Sequence, residues 1–305
     1  MDAMTGGSFS LARAVRLALA PEWCVLAALA AVDAVWAGMI GFRITWGWEA
    51  LQPLLIVGLT FMVVRGLGLE RAALFVEYFL LSLAGSFALI VFSYLCLASA
   101  GPLADETFLA LDRAMGLDWL ATRQWIESHP PLMDAMRLVY RSLVLQGLVI
   151  TAILGIWGSV GQMRELWRLT TLACILCCLT AMALPALGPF KQFGFEAEAV
   201  FLPDLERLVA GRDLVFDPSG FAGIITFPSY HTVLALACPY ALRHWPLLFW
   251  PFLVLNGLML FTIPYAGGHY VVDMIGGATI FLVALAALKL SRPRQAKRQM
   301  APAPA

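Results

Sequence analysis

Residues 72–98 read AALFVEYFLLSLAGSFALIVFSYLCLA, an apolar run of 27 residues with a single charged side chain, that of Glu77. A helix that crosses a bilayer needs about 20 predominantly apolar residues. This run is therefore long enough to cross a membrane as one helix, and the other apolar segments of the chain can be judged by the same length.

The overall composition agrees with a membrane protein. The chain has 305 residues, of which 61% are apolar and only 13% charged, with a mean hydropathy of +0.82. Soluble domains are about half apolar and a quarter charged. The low charge excludes an ordinary soluble domain, and the high apolar content excludes a disordered chain. The net charge is zero, so nothing indicates a nucleic-acid partner.

Seven more apolar segments accompany the first, and together they predict about eight membrane spans. The eight segments cover residues 23–42, 50–65, 72–98, 132–158, 166–186, 228–243, 245–264 and 269–290. Prolines inside these segments are acceptable because bundled membrane helices tolerate them. We predict an all-α, polytopic membrane helix bundle with interfacial helices, in which residues 1–305 form a single integral membrane domain.

Positive charge marks one side of this bundle. An even number of spans puts both chain ends on one side, which collects Arg13, Arg16, Arg65, Arg71, Arg164, Arg168, Arg243, Lys289, Arg292, Arg294, Lys297 and Arg298. The opposite short loop holds only Arg43. Positive charge in short loops favours the cytoplasmic side. We therefore expect cytoplasmic termini, a cytoplasmic basic tail over 291–305, and a surface helix over 9–19.

The two long loops, about 99–131 and 187–227, are acidic and would then face outward. Within the first, Phe108, Leu111, Met115, Trp119 and Ile126 recur at helical spacing, interrupted by Gly116. This pattern predicts an interfacial helix that is broken once. Such a helix either caps the bundle or shapes a lateral entrance for a lipid.

The sequence Pro228-Ser229-Tyr230-His231 begins one apolar segment at its outward end. Proline is favoured in the first turn of a helix. The free N–H groups of residues 229–231 and the positive end of the helix dipole would bind an anion, and Ser229 adds a hydroxyl. The alternative is an ordinary helix cap.

A second motif, His269-Tyr270-Val271-Val272-Asp273, lies at the outward end of the last segment. Residues four apart share a helix face, so Asp273 can orient the imidazole of His269 and make its other nitrogen a better nucleophile or base. A carboxylate one turn inside an apolar segment is a candidate functional residue. A purely structural His–Asp pair is the alternative.

Other interpretations remain open from the residues alone. A His/His/Asp set could bind a metal ion. The intramembrane acids Asp33 and Glu77 leave open a proton-coupled transporter or flippase. A serine protease that uses Ser229 is disfavoured because His231 is only two residues away. Cys174 and Cys177 have the spacing of metal ligands, but they lie in the middle of an apolar segment. Cysteines in such a position usually act as small buried apolar residues.

Taken together, the two motifs resemble the type 2 phosphatidic acid phosphatase superfamily, whose signatures are a Pro-Ser-Gly-His block and a later block ending His-x-x-x-Asp. Tyr230 at the glycine position and the His-Tyr-x-x-Asp form are more similar to the inositol phosphorylceramide synthase branch. Two features depart from the family: Thr262 and Ile263 stand where its Ser-Arg pair usually begins the last block, and its first block, Lys-x6-Arg-Pro, is absent.

The resemblance implies a catalytic core over about 130–290 and roles for three residues. His269 would attack phosphorus to form a phosphohistidine, Asp273 would orient it, and His231 would protonate the leaving oxygen and then activate the acceptor. Ser229 and nearby N–H groups would hold phosphate oxygens. The scheme needs no metal or cofactor. The missing arginine calls for other cations, and the candidates are Lys191, Arg212 and Arg141.

We therefore expect a lipid phosphotransferase with a phospholipid donor and a lipid or polyol acceptor. Hydrolysis of a lipid phosphate or pyrophosphate is the alternative, because only the acceptor differs. The excess of arginine over lysine and the abundance of alanine and leucine favour a bacterial source, which would place the enzyme in the plasma membrane with an extracytoplasmic active site.

Overall fold

The computed structural model describes residues 21–45, 47–218 and 223–291. The elements run in the order α1 (Pro21–Ile40), β1 (Arg43–Ile44), α2 (Trp48–Gly66), α3 (Glu70–Ala98), α4 (Asp105–Ala114), α5 (Trp119–Glu127), α6 (Pro130–Trp157), α7 (Val160–Ala183), α8 (Pro189–Gln192), a 3-10 turn (Glu196–Glu198), α9 (Leu202–Val209), β2 (Val215–Phe216), α10 (Tyr230–Ala241), α11 (Pro246–Gly267) and α12 (Val271–Leu290).

The predicted all-α bundle is confirmed, and each predicted apolar segment is a helix. The described residues contain one sheet, a parallel pair of two-residue strands in which Arg43 faces Val215 and Ile44 faces Phe216. This pair, which no pattern in the sequence predicts, ties the loop after α1 to the loop after α9.

The helices differ from the expected eight full spans in length. Among the described residues, six helices are long and apolar enough to cross a membrane: α1, α3, α6, α7, α11 and α12. The apolar part of α2, Leu51–Gly66, is shorter. The segment predicted over 228–243 contains only the 12-residue α10, which at 1.5 Å per residue is about 18 Å long. It is shorter because the chain before Ser229 enters the bundle as a loop.

Successive apolar helices run in alternating directions, with α3 in the middle against α1, α2, α6 and α7. The C-termini of α3, α7 and α11 therefore share one end of the bundle with the N-termini of α6, α10 and α12. This end, here called the histidine end, also carries the two long connections. The opposite end carries Arg65, Arg164 and Arg243, which pair with Glu70, Glu22 and Glu165 respectively.

Many large apolar side chains lie on the outside. Leu138, Val144, Phe261 and Leu247 expose 72%, 77%, 76% and 91% of their surface. Soluble monomers rarely expose large apolar patches, whereas a bilayer accepts such a surface. This distribution identifies an integral membrane protein.

The interfacial helix broken once is confirmed as α4 and α5, which are separated at Gly116, where φ is +79°. Phe108, Trp119 and Ile126 are buried as expected, but Leu111 and Met115 are exposed. The inward face of α4 is therefore narrower than the apolar spacing predicts.

Several other predictions concern polar or terminal residues. The helix predicted over 9–19 and the tail from residue 292 onward lie outside the described residues. Asp33 is buried, and Glu77 accepts a hydrogen bond from the Trp23 indole at 3.4 Å. Among the six cysteines, Cys24 is exposed, Cys174 is half-buried and the other four are buried.

Candidate active site

The fold brings the two histidines of the sequence motifs together. His231 lies in the first turn of α10, and His269 lies in the short connection between α11 and α12. Their ring centroids are 6.0 Å apart with an interplanar angle of 63°. His269 is 3% exposed. The two imidazoles lie at the same depth and are close enough to contact one phosphate-sized group.

Two acceptors fix the tautomer of His269. Its Nδ1 atom lies 2.8 Å from the Thr226 carbonyl oxygen and 3.2 Å from Oδ2 of Asp273. Because both neighbours accept hydrogen bonds, Nδ1 carries the proton and Nε2 keeps its lone pair. Burial lowers the pKa of His269 to about 4, although the hydrogen bond to Thr226 acts in the opposite direction. The imidazole is therefore neutral near pH 7.

An aromatic neighbour, Tyr140, orients His231 and was not a candidate from the sequence. The His231 ring stacks on Tyr140 of α6, with centroids 4.7 Å apart and an interplanar angle of 23°. The Tyr140 hydroxyl lies 3.4 Å from Nδ1 of His231. Nothing in the apolar pattern of α6 sets Tyr140 apart, since only the packing of α6 against α10 shows its role.

Ser229 is the N-cap of α10, and its side chain is fully buried. Its Oγ accepts a hydrogen bond from the Thr232 N–H at 3.3 Å, and its own N–H donates to the Asp273 carbonyl oxygen at 2.9 Å. The Ser229 N–H is thus not free, contrary to expectation. Within the described ranges, the N–H groups of Tyr230 and His231 donate to no protein acceptor, so two of the three expected donors stay open.

Close packing of α10 against α12 brings the two motifs together. A Cβ atom added at Gly277 would lie 2.3 Å from the Ser229 carbonyl oxygen and 3.0 Å from Cβ of Thr232. Only glycine permits this approach. The backbone hydrogen bond from Ser229 to Asp273 spans the same contact.

Two carboxyl groups on α4, those of buried Asp112 and half-buried Asp105, form hydrogen bonds with residues at the start of α12. Neither was a candidate from the sequence. Asp112 accepts hydrogen bonds from the N–H groups of Val271 and Val272 at 2.8 and 3.0 Å. Burial raises the pKa of Asp112, while these two hydrogen bonds oppose the shift. The N-terminus of α12 is thus already capped by a carboxyl group of α4, whereas the N–H groups of Tyr230 and His231 at the N-terminus of α10 stay open within the described part of the chain.

Asp105, two turns before Asp112 on α4, likewise accepts hydrogen bonds from backbone N–H groups. It accepts hydrogen bonds from the N–H groups of Leu187 and Gly188 at 2.9 and 2.8 Å, and from the Tyr270 hydroxyl at 3.2 Å. The spacing of Asp105, Phe108 and Asp112 is i, i+3, i+7, which places them on one face of α4. This spacing is the sequence signal that could have revealed them.

Aromatic side chains cover His269. The Trp119 indole N–H donates to the carbonyl oxygens of His269 and Pro264, both at 3.2 Å. Around Trp119 pack the rings of Phe190, Phe193, Phe195 and Tyr265. We call these five residues the aromatic cover. It excludes water from the buried face of His269.

Arg123 supports the aromatic cover and was not a sequence candidate. Its guanidinium is fully buried, donates to the Tyr265 carbonyl oxygen, and pairs with Glu127 and Glu198. It also lies 4.8 Å from the ring centroid of Phe195. Two carboxylates compensate its charge, so Arg123 acts as a support.

The three predicted phosphate-binding cations lie in different surroundings. Lys191 pairs with Glu206 at 2.8 Å, and this hydrogen bond raises the pKa of Lys191. Arg212 is exposed in the loop after α9. Arg141 is exposed on α6, next to Tyr140. Within residues 21–45, 47–218 and 223–291, neither arginine has a carboxylate partner. Ile263, at the position of the family's arginine, is buried in the apolar core.

The comparisons with known proteins agree with these motifs. A family model described as the PAP2 superfamily matches residues 106–287, more than half of the chain. The chain belongs to the PAP2 superfamily. This superfamily comprises phosphatases and phosphotransferases that act on lipid phosphates, so the protein is a membrane enzyme with that type of activity. Searches of curated proteins and of solved structures found no match.

Proposed function

We propose that this enzyme transfers a phosphorylated headgroup, of the inositol-phosphate type, from a phospholipid to a lipid or polyol acceptor through a phosphohistidine on His269. The observation that carries the proposal is the pair of imidazoles 6.0 Å apart, one of which has its Nδ1 proton directed at Thr226 and Asp273. This leaves Nε2 of His269 as the nucleophile.

In the first step, Nε2 of His269 forms a bond to phosphorus while the bond from phosphorus to the leaving oxygen breaks. His231, whose protonated form is favoured by the negative charge of the phosphate bound beside it, gives its proton to that oxygen, so the leaving group departs as an alcohol. The positive charge that develops on His269 is balanced by Asp273. Phosphoryl transfer depends mainly on positioning and charge neutralisation.

In the second step, His231 removes the proton of an acceptor hydroxyl, whose oxygen attacks phosphorus as the P–N bond breaks. The N–H groups of Tyr230 and His231 and the hydroxyl of Ser229 hold phosphate oxygens. Arg141 is the favoured cation because it adjoins Tyr140, which stacks on His231, and because no carboxylate in the described structure pairs with it. Lys191, already paired with Glu206, and Arg212 are the further candidates.

Transfer is favoured over hydrolysis by the burial of His269. Its 3% exposure and the aromatic cover restrict water at the phosphohistidine, and exclusion of water suppresses hydrolysis of reactive intermediates. The charge asymmetry of the loops supports cytoplasmic termini and a histidine end on the opposite, extracytoplasmic side. The membrane in this proposal is the plasma membrane of a bacterium.

The test uses the purified full-length protein in proteoliposomes with radiolabelled phosphatidylinositol and phosphatidic acid, in the presence and absence of diacylglycerol, ceramide and inositol as acceptors. His269→Ala and His231→Ala should abolish release of labelled headgroup or phosphate. The matched controls are His129→Ala and His244→Ala, which change exposed histidines and should keep wild-type turnover. Full activity of His269→Ala with both lipids would contradict the proposal.

The same assay separates the reaction types. A labelled product on an acceptor identifies a transferase, whereas labelled phosphate alone identifies a phosphatase. Acid-labile label trapped on the wild type and missing from His269→Ala would identify the phosphohistidine. Loss of turnover in chelator that one divalent ion restores would support the metal alternative. Movement of intact lipid without cleavage would indicate the flippase alternative.

A further inference from the structure

A lateral groove runs through the middle of the bundle, separate from the polar atoms of the histidine pair. It has a volume of about 380 Å³ and lies between α3, α6, α7 and α10. Its lining is mostly apolar and includes Phe79, Val144, Leu148, Leu166 and Leu234. Val144 and Leu148 are 77% and 43% exposed, so α6 forms an edge at which the groove opens toward the bilayer.

Two helical stripes lead from the candidate active site to the groove. On α10, Leu234 and Cys238 follow His231 at i+3 and i+7, which places both on the His231 face of the helix. On α6, Val144, Gly147 and Thr151 follow Tyr140 at i+4, i+7 and i+11, along a single stripe. These five residues line the groove. Since Tyr140 and His231 stack on each other, both helical stripes start at the same point.

The direction of the groove suits a lipid whose phosphate is bound at the histidines. The N-termini of α6 and α10 share the histidine end, so both stripes lead from there toward the middle of the bundle. The lining from Tyr230 to Cys238 spans nine residues of α10, a rise of about 12 Å. An apolar chain attached to the phosphate group would leave the site along this path.

Arg141 lies on the side of α6 that carries two residues of the groove lining. It precedes Val144 by three residues and Leu148 by seven, so the three share one side of α6. Arg141 is exposed among apolar neighbours, and within the described residues it has no carboxylate partner. An arginine at bilayer depth requires a compensating anion. A lipid phosphate at the mouth of the groove supplies one.

We propose that the groove binds an acyl chain of the phospholipid donor and that Arg141 contacts the phosphate of the same molecule. This inference rests on the proposed function, because it names the substrate side of that site. Its chemistry is the burial of hydrocarbon against apolar side chains, joined to one charge-assisted contact at the mouth.

Gly147→Leu is the variant that fills the groove. A Cβ atom at Gly147 meets no other atom within 4 Å, so the larger side chain occupies open space. Gly257→Leu is the matched control, because Gly257 lies in the apolar helix α11, also has no atom within 4 Å of an added Cβ, and does not line the groove. Arg141→Gln tests the mouth.

The probes are phosphatidic acid and phosphatidylinositol with a diazirine on the acyl chain, in phosphatidylcholine proteoliposomes. The wild type should be labelled on α6 and α10 groove residues, and unlabelled probe lipid should compete. Gly147→Leu and Arg141→Gln should lower this labelling severalfold, and Gly257→Leu should not. Labelling spread over the outer helix faces, without saturation for either lipid, is ordinary bilayer contact and would overturn the inference.

Labelling does not depend on turnover, so the two proposals fail separately. His269→Ala should keep wild-type labelling of the groove while losing activity. If the groove is labelled in a protein that cleaves no lipid, the proposed function is wrong and the groove stands. If Gly147→Leu turns over dioleoyl and dihexanoyl lipids equally well and is labelled like wild type, the groove is wrong and the function stands.

Discussion

The rings of the two histidines are held in place by different kinds of contact. His269 is fixed by hydrogen-bond acceptors, the Thr226 carbonyl and Asp273, which together select one tautomer. His231 is fixed by stacking on Tyr140. In the proposed mechanism, His269 is then a nucleophile with a defined lone pair, and it faces an acid–base group, His231, whose ring is held by stacking. This arrangement suits a reaction in which positioning supplies most of the catalysis.

The pKa of His269 predicts how stability depends on pH. The unfolded chain binds a proton at His269 below about pH 6.5, whereas the folded protein binds it only below about pH 4. Between these values the unfolded state binds more protons, so stability rises with pH. This contribution is fully present above pH 6.5 and is lost as the pH falls toward 4. Its full extent is on the order of 3 kcal/mol.

Thermal unfolding in detergent, recorded from pH 4 to 8 for the wild type and His269→Gln, measures this contribution. The difference between the two curves removes the other titrating groups. We expect the wild type to lose stability faster than the variant as the pH falls through this interval. Parallel curves would show that His269 has the same pKa in both states.

At the scale of elements, the site depends on short contacts between helices. Gly277 allows α12 to touch the backbone of α10 at Ser229, and the carboxylate of Asp112 on α4 caps the first N–H groups of α12. Since Asp273 lies in that same first turn, α4 positions the residue that orients His269. The outer helices therefore contribute to the geometry of the site as well as covering it.

Asp112→Ala should reduce both stability and kcat. Loss of the cap costs about 1–2 kcal/mol, and a displaced first turn of α12 lowers kcat on the order of 100-fold, the effect of a small misplacement of a catalytic group. The control is Ser159→Ala, which removes the N-cap of α7 at the opposite end of the bundle. It should lose similar stability in thermal unfolding and keep its kcat. Equal kcat in both variants would limit Asp112 to a structural role.

At the scale of the whole molecule, charge and hydrophobicity divide the surface into three zones. Apolar side chains cover the flanks, one end carries the ion pairs of Arg65, Arg164 and Arg243, and the acidic connections with the candidate site lie at the other. Because the helices alternate in direction, the N-termini of α6, α10 and α12 all lie at the histidine end, near the candidate site.

The orientation in the membrane can be tested with a matched pair of serines. Ser128 and Ser291 are both exposed C-cap residues, and each hydroxyl donates to the carbonyl oxygen three residues earlier. In a Cys24→Ala background, an impermeant maleimide added to intact cells should label Ser128→Cys and leave Ser291→Cys unlabelled until the cells are opened. The reverse pattern would place the histidine end in the cytoplasm and contradict the positive-inside argument.

The sequence by itself determined the membrane bundle, the place of each apolar helix, the broken helix at Gly116 and the two motifs, because hydropathy and i, i+4 spacing are local properties. It did not predict the short α10, since a loop that enters a bundle resembles the end of a span. Only the tertiary structure decided the contacts of Tyr140, Asp112 and Arg123. These contacts join segments far apart in the chain, and their energy comes from packing and hydrogen bonds that no local pattern encodes.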